Sequence, residues 1–359
     1  MPHSSRRLFL TTSAAVLATP SVSALAATMK RPVRVGQIGT QHAHAAGKMA
    51  AFRKFPELFE VVGVVEPDAT RRKAASATSA YADLKWMDEE QLLAVEGLEA
   101  VAVETHIDDL LSTAERCVNA GKHIHLDKPA GTSLNHFRRI CRRADEQKLM
   151  IQMGYMFRSN AAFRFVFNAV RQGWLGEIFQ VHCEMSKKID DSRRDEMARY
   201  RGGSMFELGC HLIDAVVTVL GAPTKVSAFN RNTQPERDKL MDTCLAVFEY
   251  PKATASIRSS LCEVSGWERR QFVVCGTKGS IVIRPLEPYK LTLTLESATG
   301  EFERGAHDIE LPPSTGRYDG DVQHLAAVIR GKQSAEYDTA HDLAVQESVL
   351  RASNMAVAT

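Results

Sequence analysis

The chain has 359 residues, of which 44% are hydrophobic, 25% charged and 7% aromatic, and its 45 Lys+Arg against 43 Asp+Glu give a formal net charge of +2. This composition excludes a disordered chain, a collagen-like repeat and a small disulfide-stapled scaffold, and the length suits two domains with their own cores. Near-balanced charge also excludes the concentrated basic face that a nucleic-acid binder needs.

At the N-terminus, Ser5-Arg6-Arg7-Leu8-Phe9-Leu10 resembles a twin-arginine export signal. A weakly apolar stretch runs from Ala14 to Val22, and Ala24-Leu25-Ala26 has the small–x–small pattern of a cleavage site. That stretch is too short and too rich in Thr and Ser to span a bilayer core of about 30 Å. Residues 1–27 are therefore expected to be a signal peptide, cleaved near Ala26 or Ala27 and read by the export machinery for twin-arginine substrates. The mature protein would be periplasmic, with no stable membrane insertion. Losing Arg6 and Arg7 would leave it without net charge. Twin-arginine substrates cross the membrane folded, so the seven cysteines, odd in number and without a CxxC pair, are expected to be buried thiols rather than disulfides.

Residues 31–150 read as alternating strands and helices. Val33, Val35 and Ile38 precede Gly39, and further apolar runs are Val61–Val65, Ala100–Val103, Lys122–Leu126 and Met150–Met153. Continuous apolar runs fit a parallel sheet covered on both faces. Leu110, Leu111, Ala114, Cys117 and Val118 recur at helical spacing before Gly121, so the class is a doubly wound α/β sheet. In such a sheet a dinucleotide sits where the first strand turns into its helix, here Gly39-Thr40-Gln41-His42-Ala43-His44. Only the first fingerprint glycine is present; Gln41 and His44 stand in place of the other two. Glu66, ending the second run 27 residues beyond Gly39, can accept from a ribose 2′-hydroxyl and favours NAD. Arg71 and Arg72 leave NADP open.

Farther along, Leu126-Asp127-Lys128-Pro129 resembles the Glu-Lys-Pro signature of the glucose–fructose oxidoreductase/inositol dehydrogenase (Gfo/Idh/MocA) family. Gly202-Gly203 followed by Glu207, His211 and Asp214 is similar to that family's Gly-Gly…Asp-x-x-x-His…Asp segment. Gly154–Arg158 and Trp174–Ile178 match two further motifs in the same order. The resemblance covers nearly all of residues 31–355. It implies an N-terminal Rossmann domain (31–150) and a C-terminal α/β domain (151–359) with a large, mostly antiparallel open sheet, the last helix packing back on the first domain. Strand-like segments at 179–185, 243–249, 253–258, 270–275 and 280–283 support the second sheet independently, with a turn at Thr277-Lys278-Gly279.

The same resemblance implies an NAD(P)-dependent oxidoreductase acting on CH–OH groups, with NAD, or else NADP, tightly bound. Gly39, Thr40, Gln41, His42, Glu66, Thr105, Asp127 and Lys128 would hold the cofactor. Lys128 corresponds to the catalytic lysine, its Lys-Pro peptide commonly cis, and His211 to the proton acceptor. Glu207 stands where aspartate is usual, and four residues along a helix it would meet and orient His211. Arg158 and Asn160, with Lys128 and His211, would line the cleft for a carbohydrate-like substrate, and Asp214 would be structural. An uncovered sheet face implies a homodimer or homotetramer.

Hydride transfer from an alcohol needs a base near neutrality and a donor to the reacting oxygen, roles that imidazole and ammonium fill. The same pair would serve a hydrolase or lyase that oxidises a glycoside transiently. A non-catalytic binding protein is the remaining alternative, argued by the two missing glycines. The doublets His42-x-His44 and His123-x-His125, with His106, lack a Cys or carboxylate at a ligand spacing, so no metal is expected. His42 and His44 are expected on the pyrophosphate and His125 half-buried. Lys187, Lys188, Arg193 and Arg194 form either an acid-binding cluster or a solvated loop.

Overall fold

The structure, a computed structural model, describes residues 31–199, 201–312 and 316–357. The expected signal peptide and its cleavage site lie outside the described residues. Six strands, β1 (Val33–Ile38), β2 (Phe59–Val65), β3 (Trp86–Met87), β4 (Ala100–Val103), β5 (His123–Leu126) and β6 (Ile151–Met153), form an all-parallel sheet. Its order is β3-β2-β1-β4-β5-β6, so the winding reverses between β1 and β4 and opens a crevice at their carboxyl ends. All four residues of β4 are buried, as strands covered on both faces require. The helix Ile107–Asn119 buries Leu110, Leu111, Ala114, Cys117 and Val118 against the sheet. Two-residue β3 has too little periodicity to be read from sequence.

The second sheet has eight strands in the order β14-β13-β12-β11-β7-β10-β9-β8. These are β7 (Ile178–Glu184), β8 (Lys225–Arg231), β9 (Thr243–Glu249), β10 (Thr254–Ser260), β11 (Gln271–Gly276), β12 (Gly279–Leu286), β13 (Tyr289–Leu295) and β14 (Gly305–Asp308). All neighbours are antiparallel except β7 and β10. One face buries Val181, Cys183, Ala246, Phe248, Ile257, Phe272 and Val274 in a core shared with the helices Ala161–Arg171 and Cys210–Leu220. On the other face the cross-strand partners Phe229 and Leu245 are exposed.

The C-terminal helices return to the first sheet. Val322, Leu325 and Ala326 of the helix Asp319–Ile329 pack with Val33, Val35, Phe52 and Phe59. From the helix Thr339–Ala352, Gln346 accepts from the Ala130 N–H at 2.9 Å and donates to the Gly131 carbonyl at 2.7 Å. All seven cysteines are free, and five of them are buried.

Candidate functional site

The crevice at the ends of β1, β4 and β5 collects most of the expected residues. Gly39 has φ +90°, and a Cβ there would lie 2.6 Å from the Glu104 carbonyl oxygen, so the turn admits only glycine. Thr40 donates from its amide (3.0 Å) and hydroxyl (2.7 Å) to Glu66, whose other oxygen accepts from the Asp68 amide at 3.1 Å and Arg71 Nη2 at 3.0 Å. Burial would raise the Glu66 pKa, but these donors hold it below the usual carboxylate value. Gln41 is exposed.

His42 and His44 depart from expectation. Instead of facing outward to a pyrophosphate, both turn toward buried Asp127, His42 through a close Nδ1–carboxylate contact and His44 with Nδ1 at 3.5 Å. Lys48 Nζ completes the cluster at 3.0 Å from Asp127 and 3.1 Å from Glu104. Asp127 is thus the anchor of the loop, with its oxygens engaged by protein groups. Burial alone would raise its pKa; His42 and Lys48 hold it well below the ordinary value. Glu104, a buried carboxylate that the sequence reading missed, is pushed up to about 7 by burial and by Asp127, against the pull of Lys48. For His44, burial outweighs Asp127 and lowers the pKa to about 4.

Folding also supplies the carboxylate that linear spacing lacked: among the described residues, ligand atoms of His42, His44 and Asp127 lie within 4.8 Å of one another, a composition able to hold a metal ion. The Lys48 ammonium already occupies one flank of Asp127, where it competes with any cation. His125 is fully buried rather than half-buried, its Nδ1 2.9 Å from Gln152 Oε1, and burial lowers its pKa to about 3. His106 caps the helix Ile107–Asn119.

Lys128 follows β5, and the Lys128–Pro129 peptide is cis. Its buried ammonium donates to the Glu207 carbonyl at 2.8 Å and lies 3.4 Å from Glu207 Oε2. Burial pulls the Lys128 pKa down, but Glu207, with Cys210 and Asp127 adding to it, outweighs burial and the net shift is upward. Glu207 and His211 do not meet as expected. Residues Met205–Gly209 form a π-helical turn ahead of the helix Cys210–Leu220, and its wider winding breaks the four-residue alignment of an α-helix. The carboxylate therefore serves Lys128. His211 sits among Tyr155, Phe157 and His44, with ring centroids 6.0, 5.8 and 6.4 Å away, and its Nδ1 is buried without a hydrogen bond. Burial, then the charge of Lys128, hold the imidazole well below its ordinary pKa.

Arg158 does not line the cavity that holds Lys128 and instead borders a small separate one with Gln152, Asp321 and Tyr337. Its guanidinium is buried between the rings of Tyr155 and Tyr337, paired with Asp214 and Asp342 at 2.6 Å each. Asn160 caps the helix Ala161–Arg171 by accepting from the Ala162 and Phe163 amides, and it borders a cleft of about 1050 Å³. Thr105 lines a narrow cavity with His42, Asp127, Lys128, Phe206 and Glu207, and its buried hydroxyl has no partner. The glycine-only turn, the orphaned Thr105 hydroxyl and Glu66 at the end of β2 together fit a dinucleotide laid across the crevice.

Comparison with known proteins agrees with this geometry. Residues 33–155 match an oxidoreductase family with an NAD-binding Rossmann fold, and residues 163–282 match the GFO/IDH/MocA C-terminal domain. An uncharacterized oxidoreductase of Schizosaccharomyces pombe is 24% identical over 342 residues, 90% of this chain and 91% of that protein. An oxidoreductase from Agrobacterium radiobacter, solved with NAD+, L-tartaric acid and magnesium, superposes with TM-score 0.75 at 17% identity, over 88% of this chain and 94% of that one. The WlbA dehydrogenase from Bordetella pertussis, solved with NADH and UDP-GlcNAcA, gives 0.72 at 19% identity, over 90% and 97%.

Proposed function

Because the chain belongs to the Gfo/Idh/MocA family of NAD(P)-dependent oxidoreductases, we propose that it oxidises or reduces a hydroxyl-bearing carbon of a sugar, sugar acid, cyclitol or glycoside. The observation that carries this is that buried Lys128 and buried His211 converge on one turn: the ammonium bonds the carbonyl of Glu207, four residues ahead of the imidazole. When bound, the nicotinamide supplies the hydride acceptor or donor. Protonated Lys128 donates to the reacting oxygen and stabilises negative charge as it develops. Neutral His211 takes the hydroxyl proton during oxidation and returns it during reduction. Glu207 is a positioning residue, holding Lys128 charged and aimed.

Glu66 supports NAD in preference to NADP, because a buried carboxylate repels a 2′-phosphate. The Arg6-Arg7 motif supports export by the twin-arginine route to the periplasm. Outside the cytoplasmic pool a freely exchanging cofactor could not be replaced, so the dinucleotide is tightly held and recycled on the enzyme. The exposed Phe229–Leu245 pair supports a dimer or tetramer through the second sheet.

The test is acid quenching of the purified protein and assay of the supernatant for nicotinamide nucleotide, followed by a substrate panel read at 340 nm and by product analysis. Released nucleotide and a product altered at one hydroxyl carbon are expected, and both should be lost in Lys128→Met. A protein that carries no nucleotide and binds none when supplied would sink the reading.

A further inference from the structure

Arg270 is the one fully buried arginine of the second sheet whose charge meets no carboxylate in direct contact among the described residues. It precedes β11 and is 1% exposed; its Nε donates to the Ser186 carbonyl at 3.1 Å, while Nη1 and Nη2 are buried without hydrogen-bond partners. Its neighbours at the same end of the sheet behave differently. Arg258 and Arg269 both pair with Glu184 and Glu263, so the carboxylates there are already engaged. Glu287, the nearest acidic influence on Arg270, is bonded to Arg317 at 2.6 Å.

Lys187, one residue beyond the carbonyl that Arg270 grips, is half-buried and has no hydrogen bond or ion pair of its side chain among the described residues. Its amide bonds the Ser260 carbonyl at 2.9 Å, and the adjacent Ser259 is doubly bonded to Ser204 at 2.9 and 3.1 Å, directly ahead of the π turn that carries Glu207, so Lys187 joins the Arg270 end of the sheet to the Lys128–Glu207 pair. Of the cations on that loop, Arg193 pairs with Glu196, and Arg194 with Asp238 and Asp242. With Lys188 exposed to solvent, Lys187 and Arg270 are the two cations left over in the part of the wall withdrawn from water. Leaving buried cationic donors unsatisfied is costly, and an anion supplied from outside removes that cost.

We propose that Arg270 and Lys187 form an anion-binding wall of the substrate site and that the substrate carries a carboxylate. The two free Nη groups offer the parallel donor pair that a carboxylate's oxygens match, and the Lys187 ammonium supplies a point charge beside it. The Trp267 ring lies 3.6 Å from the guanidinium carbon and is itself 41% exposed, so it is the outer cover that moves when the anion arrives. This deepens the proposed reaction from carbohydrate hydroxyls in general to sugar acids, and it rests on Lys128 and His211 being the reaction centre.

The test titrates the full-length, NAD-loaded protein with D-glucuronate and with D-glucose, following tryptophan fluorescence and Tm. The acid is expected to bind at least about tenfold more tightly than the neutral sugar, as a charge-assisted bond implies. The fluorescence change should vanish in Trp267→Phe. In Arg270→Gln and in Lys187→Gln the acid-to-neutral ratio should fall toward one; should Arg270→Gln not fold, Lys187→Gln carries the test. A wild-type response no greater to the acid than to the neutral sugar, or a ratio unchanged in the variants, overturns the inference. If nucleotide is bound but the acid has no advantage, only the anion wall falls; if no nucleotide binds, the reaction centre falls with it.

Discussion

Lys128 and His211 are both buried where charge is costly, and the nearness of a carboxylate separates their fates. Glu207 leads the groups that keep the lysine cationic, whereas at the imidazole Asp127 is outweighed by burial and by the charge of Lys128, and the ring stays neutral. The folded His211 pKa lies below 6.5, so the neutral base persists at pH values where a free histidine would be protonated. The acid limb of kcat/KM should accordingly fall below pH 6.5, and a limb at or above that value would contradict the assignment. His211→Asn should lower kcat by about 10²–10⁴ if it removes the general base. In Glu207→Gln the main counterweight to the burial of Lys128 is lost and its pKa drops, so the alkaline limb should move to lower pH. Glu66→Ser should improve kcat/KM with NADP relative to NAD, because Arg71 would be released from the carboxylate toward a 2′-phosphate. Gly39, Glu66 and Lys128 could be placed from sequence because each is tied to the end of a recognisable strand. The inward turn of His42 and His44 could not, since their partner Asp127 belongs to a different strand end and only the sheet order joins them.

Secondary-structure elements fix which side chains are free to act. The π turn Met205–Gly209 sends Glu207 to Lys128 instead of His211, a change of partner invisible to four-residue counting. Arg158, assigned to substrate on its motif alone, instead knits the segment after β6 to the helices Cys210–Leu220 and Thr339–Ala352 through Asp214 and Asp342. Arg158→Met should cost about 3–5 kcal/mol in denaturant unfolding, because two buried carboxylates lose their counter-charge. Asn160→Ala removes a cap and should cost about 1 kcal/mol. The continuous runs of the parallel sheet were readable. β8 was not, because it buries only one residue of seven, and β14 was not, because it buries none. β13 alternates cleanly but stands behind Pro285 and Pro288, which interrupt the pattern.

For the molecule as a whole, the buried neutral histidines set its tolerance of acid. His44 and His125 have folded pKa values of about 4 and about 3, against 6.5 when unfolded. Between those values the unfolded chain binds protons that the folded one refuses, so stability is complete above pH 6.5 and declines as pH falls toward 4. Tm measured from pH 7 to 4 should fall accordingly, and His125→Gln should flatten the slope. Phe229→Lys should shift the oligomer toward monomer in light scattering if the second sheet forms the proposed interface.

The bonds from Gln346 to Ala130 and Gly131 mean that the corner just after Lys128 is clasped by a helix synthesised more than two hundred residues later. A growing chain can wind its parallel sheet early, yet the lysine's surroundings stay unfinished until that late helix emerges from the ribosome. Capture of a dinucleotide is then a post-translational event, and a chain truncated before Thr339 should retain secondary structure while failing to hold nucleotide.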